Sequence, residues 1–220
     1  AYRASGDPAQ LAALEKVALF LQGKTLFTTH DGYLAAELDA ILGGTANRDH
    51  VKANFYDKLA SGTYLRDGVY YDTASYVSDY LRQRRNSYAP NVATWDLGIG
   101  IVSASDCGAD ITEWVAGTKA EINELAAGDY DVLGLAGGLY GLAYVGQEFD
   151  PTAGMFAGAA NLAGLADLLD DYQLASGGFA YATAGTNESV QETAYSTLAL
   201  NAVGGHKTNV LNAISYLKGV

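Results

Sequence analysis

The chain has 220 residues, with 13 basic against 25 acidic side chains and a net charge of −12. That length suits one domain over 1–220, or at most two small ones, with a sizeable core. The acidic balance leaves no basic face for phosphate, so nucleic acid is not an expected partner.

In chain order, Asp7-Pro8 opens a helix through Gln22, with Leu11, Leu14, Val17, Ala18 and Leu21 at helical spacing and Gly23 closing it. Thr29–Leu42 is the second helix, with Leu34, Leu38, Ile41 and Leu42 on one side and Gly43-Gly44 after it. Asn47–Leu59 is the third, followed by a loop over Ala60–Gly68. Val69–Asn86 is expected as an aromatic helix carrying Tyr70, Tyr71, Tyr76 and Tyr80, with Arg82, Arg84 and Arg85 at its cation-favouring end. Asn91–Ser105 is apolar except for Asp96, and Asp110–Leu125 is amphipathic. Asp129–Val145 is apolar and Gly-rich; Pro151–Tyr172 is small and apolar up to Asp167, Asp170 and Asp171. Ser189–Val203 carries almost no charge after its first turn, so Ala194–Val203 is expected to be buried on most sides. Thr208–Leu217 closes the chain as an amphipathic helix. No segment alternates with period two, and no run matches the roughly 18 apolar residues of a membrane span.

The chain repeats itself. Leu59-Ala60-Ser61-Gly62-Thr63-Tyr64 matches Leu174-Ala175-Ser176-Gly177-Gly178-Phe179, and Asp72-Thr73-Ala74 matches Glu192-Thr193-Ala194 with five extra residues in the second loop. Val17, Phe20, Leu21 and Gly23 recur in spacing as Ala213, Tyr216, Leu217 and Gly219. The unit is an amphipathic helix, a Gly-plus-aromatic loop, and a helix opening on an acid. A helix apolar all round needs neighbours on every side, so repetition of this unit predicts buried helices inside and amphipathic ones outside. Gly98, Gly100, Gly137, Gly138, Gly154, Gly158 and Gly164 would let inner helices approach closely.

The pattern Gly177-Gly178-Phe179, then Gln191-Glu192-Thr193-Ala194-Tyr195, then Leu198-Ala199-Leu200 resembles the repeats of the α/α-toroid superfamily. That superfamily includes squalene and terpene cyclases, protein prenyltransferase β subunits, complement-like thioester domains and some polysaccharide lyases. The resemblance covers Leu174–Leu217 strongly and 59–77 more faintly. It implies an all-α fold: a double-layered ring of about ten helices in hairpins around a central depression, with room for a longer parent chain. It selects no chemistry, since one fold hosts several. The cyclase Asp-x-Asp-Asp motif is absent, its nearest run being Asp167-Leu168-Leu169-Asp170-Asp171. The prenyltransferase zinc ligands are unmatched, with Asp106 and Cys107 adjacent and His206 far off. The thioester Cys-Gly-Glu-Gln run is missing as well.

Acids recur near helix starts at Asp31, Asp72, Asp96, Asp131 and Glu192. If those helices point one way, the acids ring one mouth, with Tyr64, Tyr70, Tyr71, Phe179 and Tyr181 as stacking surfaces for a saccharide, polyol or peptide. The plainer account of each acid is dipole complementation, worth about 0.3–1 kcal/mol. A polysaccharide lyase would instead need a cation for a uronate carboxylate and a Tyr to move the proton, for which Tyr76, Tyr80, Arg82, Arg84 and Arg85 are the candidates. The plainer account of the arginines is a solvated helix end. His30 neighbours Asp31, but adjacent helical residues do not face each other. Asp129/Asp131 and Asp167/Asp170/Asp171 offer oxygens to calcium without an EF-hand pattern, and solvated acids are the simpler account. Cys107, the only cysteine, excludes a disulfide and reads as a small buried hydrophobe. No cofactor or metal is expected. Sixteen tyrosines against one methionine, the acidic balance and an Ala1 start point weakly to an extracytoplasmic protein.

Overall fold

A computed structural model describes residues 5–84 and 91–220. Among the described residues it is mostly helical, with two short hairpins. Helix α1 is Pro8–Gln22, capped by the Asp7 carboxylate accepting from the Ala9 N–H, and α2 is Thr29–Leu42. Helix α3 spans 46–60, with a π-type turn over Lys52–Tyr56. Strands β1 (Tyr64–Arg66) and β2 (Val69–Tyr71) form a hairpin before α4, which spans 73–84. Then come α5 (Asn91–Asp106), α6 (Thr112–Ile122), α7 (Asp131–Tyr144) and α8 (Leu162–Asp170). Strands β3 (Phe179–Ala180) and β4 (Glu188–Ser189) precede α9 (Val190–Val203) and α10 (Lys207–Gly219). No described helix is long and apolar enough to cross a membrane.

Helices α2, α5, α7 and α9 form one consecutively packed group. The most extensive packing joins α5 to α7, then α7 to α9 and α2 to α5. Glycines set the approach and reveal the direction. Gly134 lies against the Asn91 backbone, Gly137 against Trp95, and Gly141 against Gly98, so residue numbers rise together and α5 and α7 run parallel. Gly32 meets Ser103 while Gly100 meets Thr29, so α2 runs parallel to α5 as well. Helices α3 and α6 run the other way. Gly32 also meets Tyr56, and Asp39 bonds Asn47, so α3 runs back along α2. Trp114 packs at Gly100 and Ile122 at Gly138 beside Thr94, so α6 runs back along α5. Gly154 and Gly158, expected between inner helices, lie instead in the irregular stretch 151–161, where Asn161 then caps α8 through the Gly164 N–H at 2.8 Å.

Three expectations are corrected. Val69–Tyr71 is strand, because Asp67-Gly68 takes positive φ at both residues (51° and 80°), the two-residue turn that matches hairpin twist. Only Leu162–Asp170 of the Pro151–Tyr172 segment is helical. Helix α9 is not buried on most sides: Ala199 and Leu200 are inaccessible, but Asn201 and Ala202 are exposed and Ala194, Tyr195 and Leu198 half-buried. Within that group of four it packs extensively against α7 alone.

The sequence repeat is visible in three dimensions. Gly62 and Gly177 both take positive φ (66° and 90°) ahead of a hairpin whose first residue, Tyr64 or Phe179, is fully buried. The matched acids part company. Asp72 is the exposed N-cap of α4, whereas Ser189 occupies the N-cap of α9 and Glu192 lies three residues inside.

Candidate functional site

The beginnings of α2 and α5, with α4, line one cavity of about 190 Å³, and Tyr195 near the start of α9 packs behind it against Trp95. Its lining includes Thr28, Thr29 and His30 from the start of α2, Trp95 and Asp96 from α5, and Tyr76 and Leu81 from α4. Asp31 fixes the start of α2: its Oδ2 accepts from the Thr28 N–H at 2.8 Å, and its Oδ1 takes the Lys24 ammonium at 2.5 Å. The preceding residue, His30, lies against Trp95 and Asp96. His30 Nδ1 stands 3.7 Å from Asp96 Oδ1, and Nε2 stands 3.4 Å from the Tyr195 hydroxyl. Trp95 lies edge-to-face with both, with ring centroids 4.8 Å from His30 and 5.5 Å from Tyr195. Asp96 is nearly inaccessible, whereas the His30 side chain keeps 30% of its surface in contact with solvent. The imidazole is therefore the wet face of a partly dry group.

Burial pushes the Tyr195 phenol above its ordinary pKa, opposed by the Trp95 indole, and pushes Tyr76 well above it. Both phenols are neutral at physiological pH and so are not bases, and the Tyr195 hydroxyl stands at hydrogen-bond distance from His30. At the other end of α5 and α7, the exposed Tyr144 hydroxyl donates to Asp106 Oδ1 at 2.7 Å. At about 190 Å³ the cavity is below the usual range of about 300–1,000 Å³ for drug-sized ligands. It fits one small ring or the end of a larger chain.

A second acidic group lies where α7 and α9 begin. Asp131 is fully buried and satisfied by backbone: Gly128, Val132 and Thr183 all donate to its oxygens. Its role is to pin the loop before β4 to the start of α7. Glu192 is equally buried, yet neither oxygen has a hydrogen-bond partner of ordinary geometry among the described residues. Burial raises its pKa; Ser189 offsets part of this and the Asp131 charge adds to it. A raised native pKa means that ionising the group opposes folding. The cost is absent below the ordinary carboxylate pKa and sets in as pH rises towards neutrality. Glu192→Gln should therefore raise stability at pH 7, by on the order of 1 kcal/mol, and leave it unchanged near pH 4. Urea unfolding at the two pH values checks this; a loss at pH 7 would mean the carboxylate is satisfied in its charged form.

The other sequence candidates are distributed as follows. Tyr64 is core: its hydroxyl accepts from the Phe27 N–H at 3.0 Å and donates to the Phe27 carbonyl at 3.1 Å. Phe179 is fully buried, its N–H donating to Thr193 Oγ1. Tyr70 is exposed on the β1–β2 hairpin, away from the cavity lining. Tyr71 packs edge-on against Tyr76 and Tyr80, and Tyr181 against Tyr130. Asp72 caps α4 through the Ser75 N–H at 2.8 Å. The proposed cation Arg82 is committed elsewhere. Its Nε donates to Glu121 Oε1 at 2.6 Å, and its Nη2 to Glu121 Oε2 at 3.2 Å and to Glu124. Tyr76 is inaccessible apart from the cavity, and Tyr80 carries the Arg66 guanidinium 4.8 Å above its ring. The Arg84 side chain and Arg85 lie outside the described residues. Burial raises the Cys107 thiol to about 12, in keeping with an inert hydrophobe.

Thus Asp96 and, from the lyase set, Tyr76 are the sequence candidates that reach the cavity, while His30, Trp95 and Tyr195 were not singled out for it. The sequence sets aside a His30–Asp31 pair, since adjacent helical residues do not face each other; the nearby carboxylate is 66 residues away on α5. The available signal was Asp96 itself, a lone acid in an otherwise apolar helix. Comparison with family models, with curated proteins and with solved structures finds no match for this chain.

Proposed function

We propose that this chain is an open arc of an α/α-toroid-like assembly, and that its mouth binds a small hydroxyl-rich ligand, a saccharide unit or one end of a short glycan, without turnover. The reading rests on one observation: His30, Trp95 and Asp96, from the starts of α2 and α5, line a single half-open cavity, with the Tyr195 hydroxyl of α9 standing 3.4 Å from His30 Nε2. An indole edge with a carboxylate, an imidazole and a phenol around a small space supplies the apolar face and the convergent donors and acceptors that a sugar ring requires. The parallel inner helices and the hairpin repeat support the toroid-like architecture. An extracytoplasmic setting would accord with such a ligand.

The polysaccharide-lyase alternative is less well supported. It needs an unpaired cation and a readily ionised phenol, and here Arg82 is bridged to two glutamates while burial holds Tyr76 and Tyr195 protonated. Calorimetric titration with a panel of neutral mono- and oligosaccharides, and with peptides as the competing class, tests the proposal. We expect one saccharide class to bind, and Asp96→Asn to weaken it at least tenfold. Binding unaffected by Asp96→Asn, or confined to peptides, would overturn it.

A further inference from the structure

We propose a second site, for a zinc-type divalent cation, at the junction of α8 and α10, built from Asp167, Asp170 and His206. Asp167 and Asp170 are three residues apart on α8 and so share a face. His206 is the N-cap residue of α10 and follows the Gly204-Gly205 turn, which brings it under that face. The three side chains each offer a ligand-type atom within 4.8 Å of the others.

The distances assign different roles. His206 Nδ1 lies 2.6 Å from Asp170 Oδ2, a hydrogen-bond separation too short for two ligands of one ion. Asp170 therefore accepts the Nδ1 proton and fixes the tautomer, leaving the Nε2 lone pair for a metal. That is the carboxylate–histidine arrangement that orients a metal-binding imidazole. Nε2 faces Asp167 Oδ1 across 4.0 Å. An ion about 2.0–2.2 Å from each atom fits that span, and the exposed Asp167 carboxylate is able to rotate towards a narrower angle.

Two further observations point to a ligand. The His206 side chain is nine-tenths buried, so its ring is held rather than swept by solvent. The remaining oxygen of Asp170, Oδ1, is buried and makes no hydrogen bond among the described residues, an unmet acceptor suited to a metal-bound water. Two carboxylates beside an imidazole favour a dication, and the nitrogen ligand selects zinc-type ions over calcium or magnesium. With two protein ligands, water fills the other positions. Asp167 is exposed, and the groove between α9 and α10 reaches His206, so solvent has access to both ligands. This site is separate from the α2–α5–α9 mouth and does not depend on the saccharide reading.

The test is calorimetric titration of the metal-free protein with Zn²⁺ alone and, separately, with Ca²⁺. We expect one Zn²⁺ per chain in the micromolar range and no Ca²⁺ binding. His206→Gln should abolish the Zn²⁺ isotherm and Asp167→Asn weaken it at least tenfold. Asp170→Asn, which touches the imidazole and not the ion, should weaken it by about 10–100-fold. Asp167 is exposed, so Asp167→Asn keeps the test valid even where His206→Gln disturbs folding; a circular-dichroism melt of each variant identifies that case. No Zn²⁺ binding at millimolar concentration, Ca²⁺ binding in its place, or Zn²⁺ affinity unchanged by Asp167→Asn would each overturn the site.

Discussion

Gly98→Ala is expected to cost about 3 kcal/mol or more, a large share of the roughly 5–15 kcal/mol that holds a domain together. In an isolated helix the same change would stabilise by about 1 kcal/mol, because alanine is the better helix former. Packing reverses the sign. A β-carbon on Gly98 would stand 1.9 Å from the Gly137 carbonyl oxygen and 2.4 Å from its carbon. Those are backbone atoms of a parallel neighbour and cannot rotate away, so α5 and α7 must separate, and overpacking against fixed atoms lies at or above the usual range of about 1–3 kcal/mol. Gly23→Ala is the control. Its nearest contact is a carbonyl of its own preceding turn at 3.5 Å, and its backbone is right-handed, so the change should fall within about 0.5 kcal/mol of zero. Urea midpoints of the two variants decide the matter: a wild-type midpoint for Gly98→Ala would mean that the two helices do not touch through their backbones.

The second large effect is expected at Asp39. Its buried carboxylate accepts from the Asn47 N–H at 3.2 Å, the Asn47 side-chain amide at 2.8 Å, the Arg48 N–H at 2.9 Å and Arg48 Nε at 3.2 Å. One side chain thereby ties the end of α2 to the first turn of α3, where helical N–H groups lack intrahelical partners. Asp39→Ala leaves those donors and the guanidinium without their acceptor and should cost about 3 kcal/mol. Asp39→Asn keeps one acceptor oxygen and should lose less. Thermal unfolding of the pair checks the order; a loss under about 1 kcal/mol for Asp39→Ala would show that the α2–α3 corner is held by its apolar contacts alone.

How much was legible in the sequence follows from the range of each interaction. The limits of α1 and α2 were readable because local chemistry sets them: Asp7-Pro8 and Gly23 at one, Gly43-Gly44 at the other. The repeat was readable because each copy needs the same positive-φ glycine and the same buried aromatic. The β1–β2 hairpin was overlooked although Asp67-Gly68 announces it; the aromatic run after it suggested helix, and turn chemistry won. The stretch 151–161 was over-read as helix because small apolar residues suit a helix without requiring one. The meeting of His30 with Asp96 and Tyr195 had no local signature. It depends on α2 and α5 lying parallel at glycine-to-side-chain distance, which only the packed molecule specifies. Burial was likewise misjudged at α9, since composition records how apolar a helix is and not how many neighbours it finds.

The most direct test of the binding mouth is tryptophan emission during titration with the saccharide panel, because the chain has two tryptophans and they sit in different places. Trp95 edges the cavity, whereas Trp114 is sealed in the core between α6 and α5. A ligand in the mouth should change the emission of the wild type and leave that of Trp95→Phe, which reports Trp114 alone, unchanged. A saccharide-induced change that persists in Trp95→Phe, or no change in the wild type with any saccharide of the panel, would contradict a ligand site among His30, Trp95, Asp96 and Tyr195.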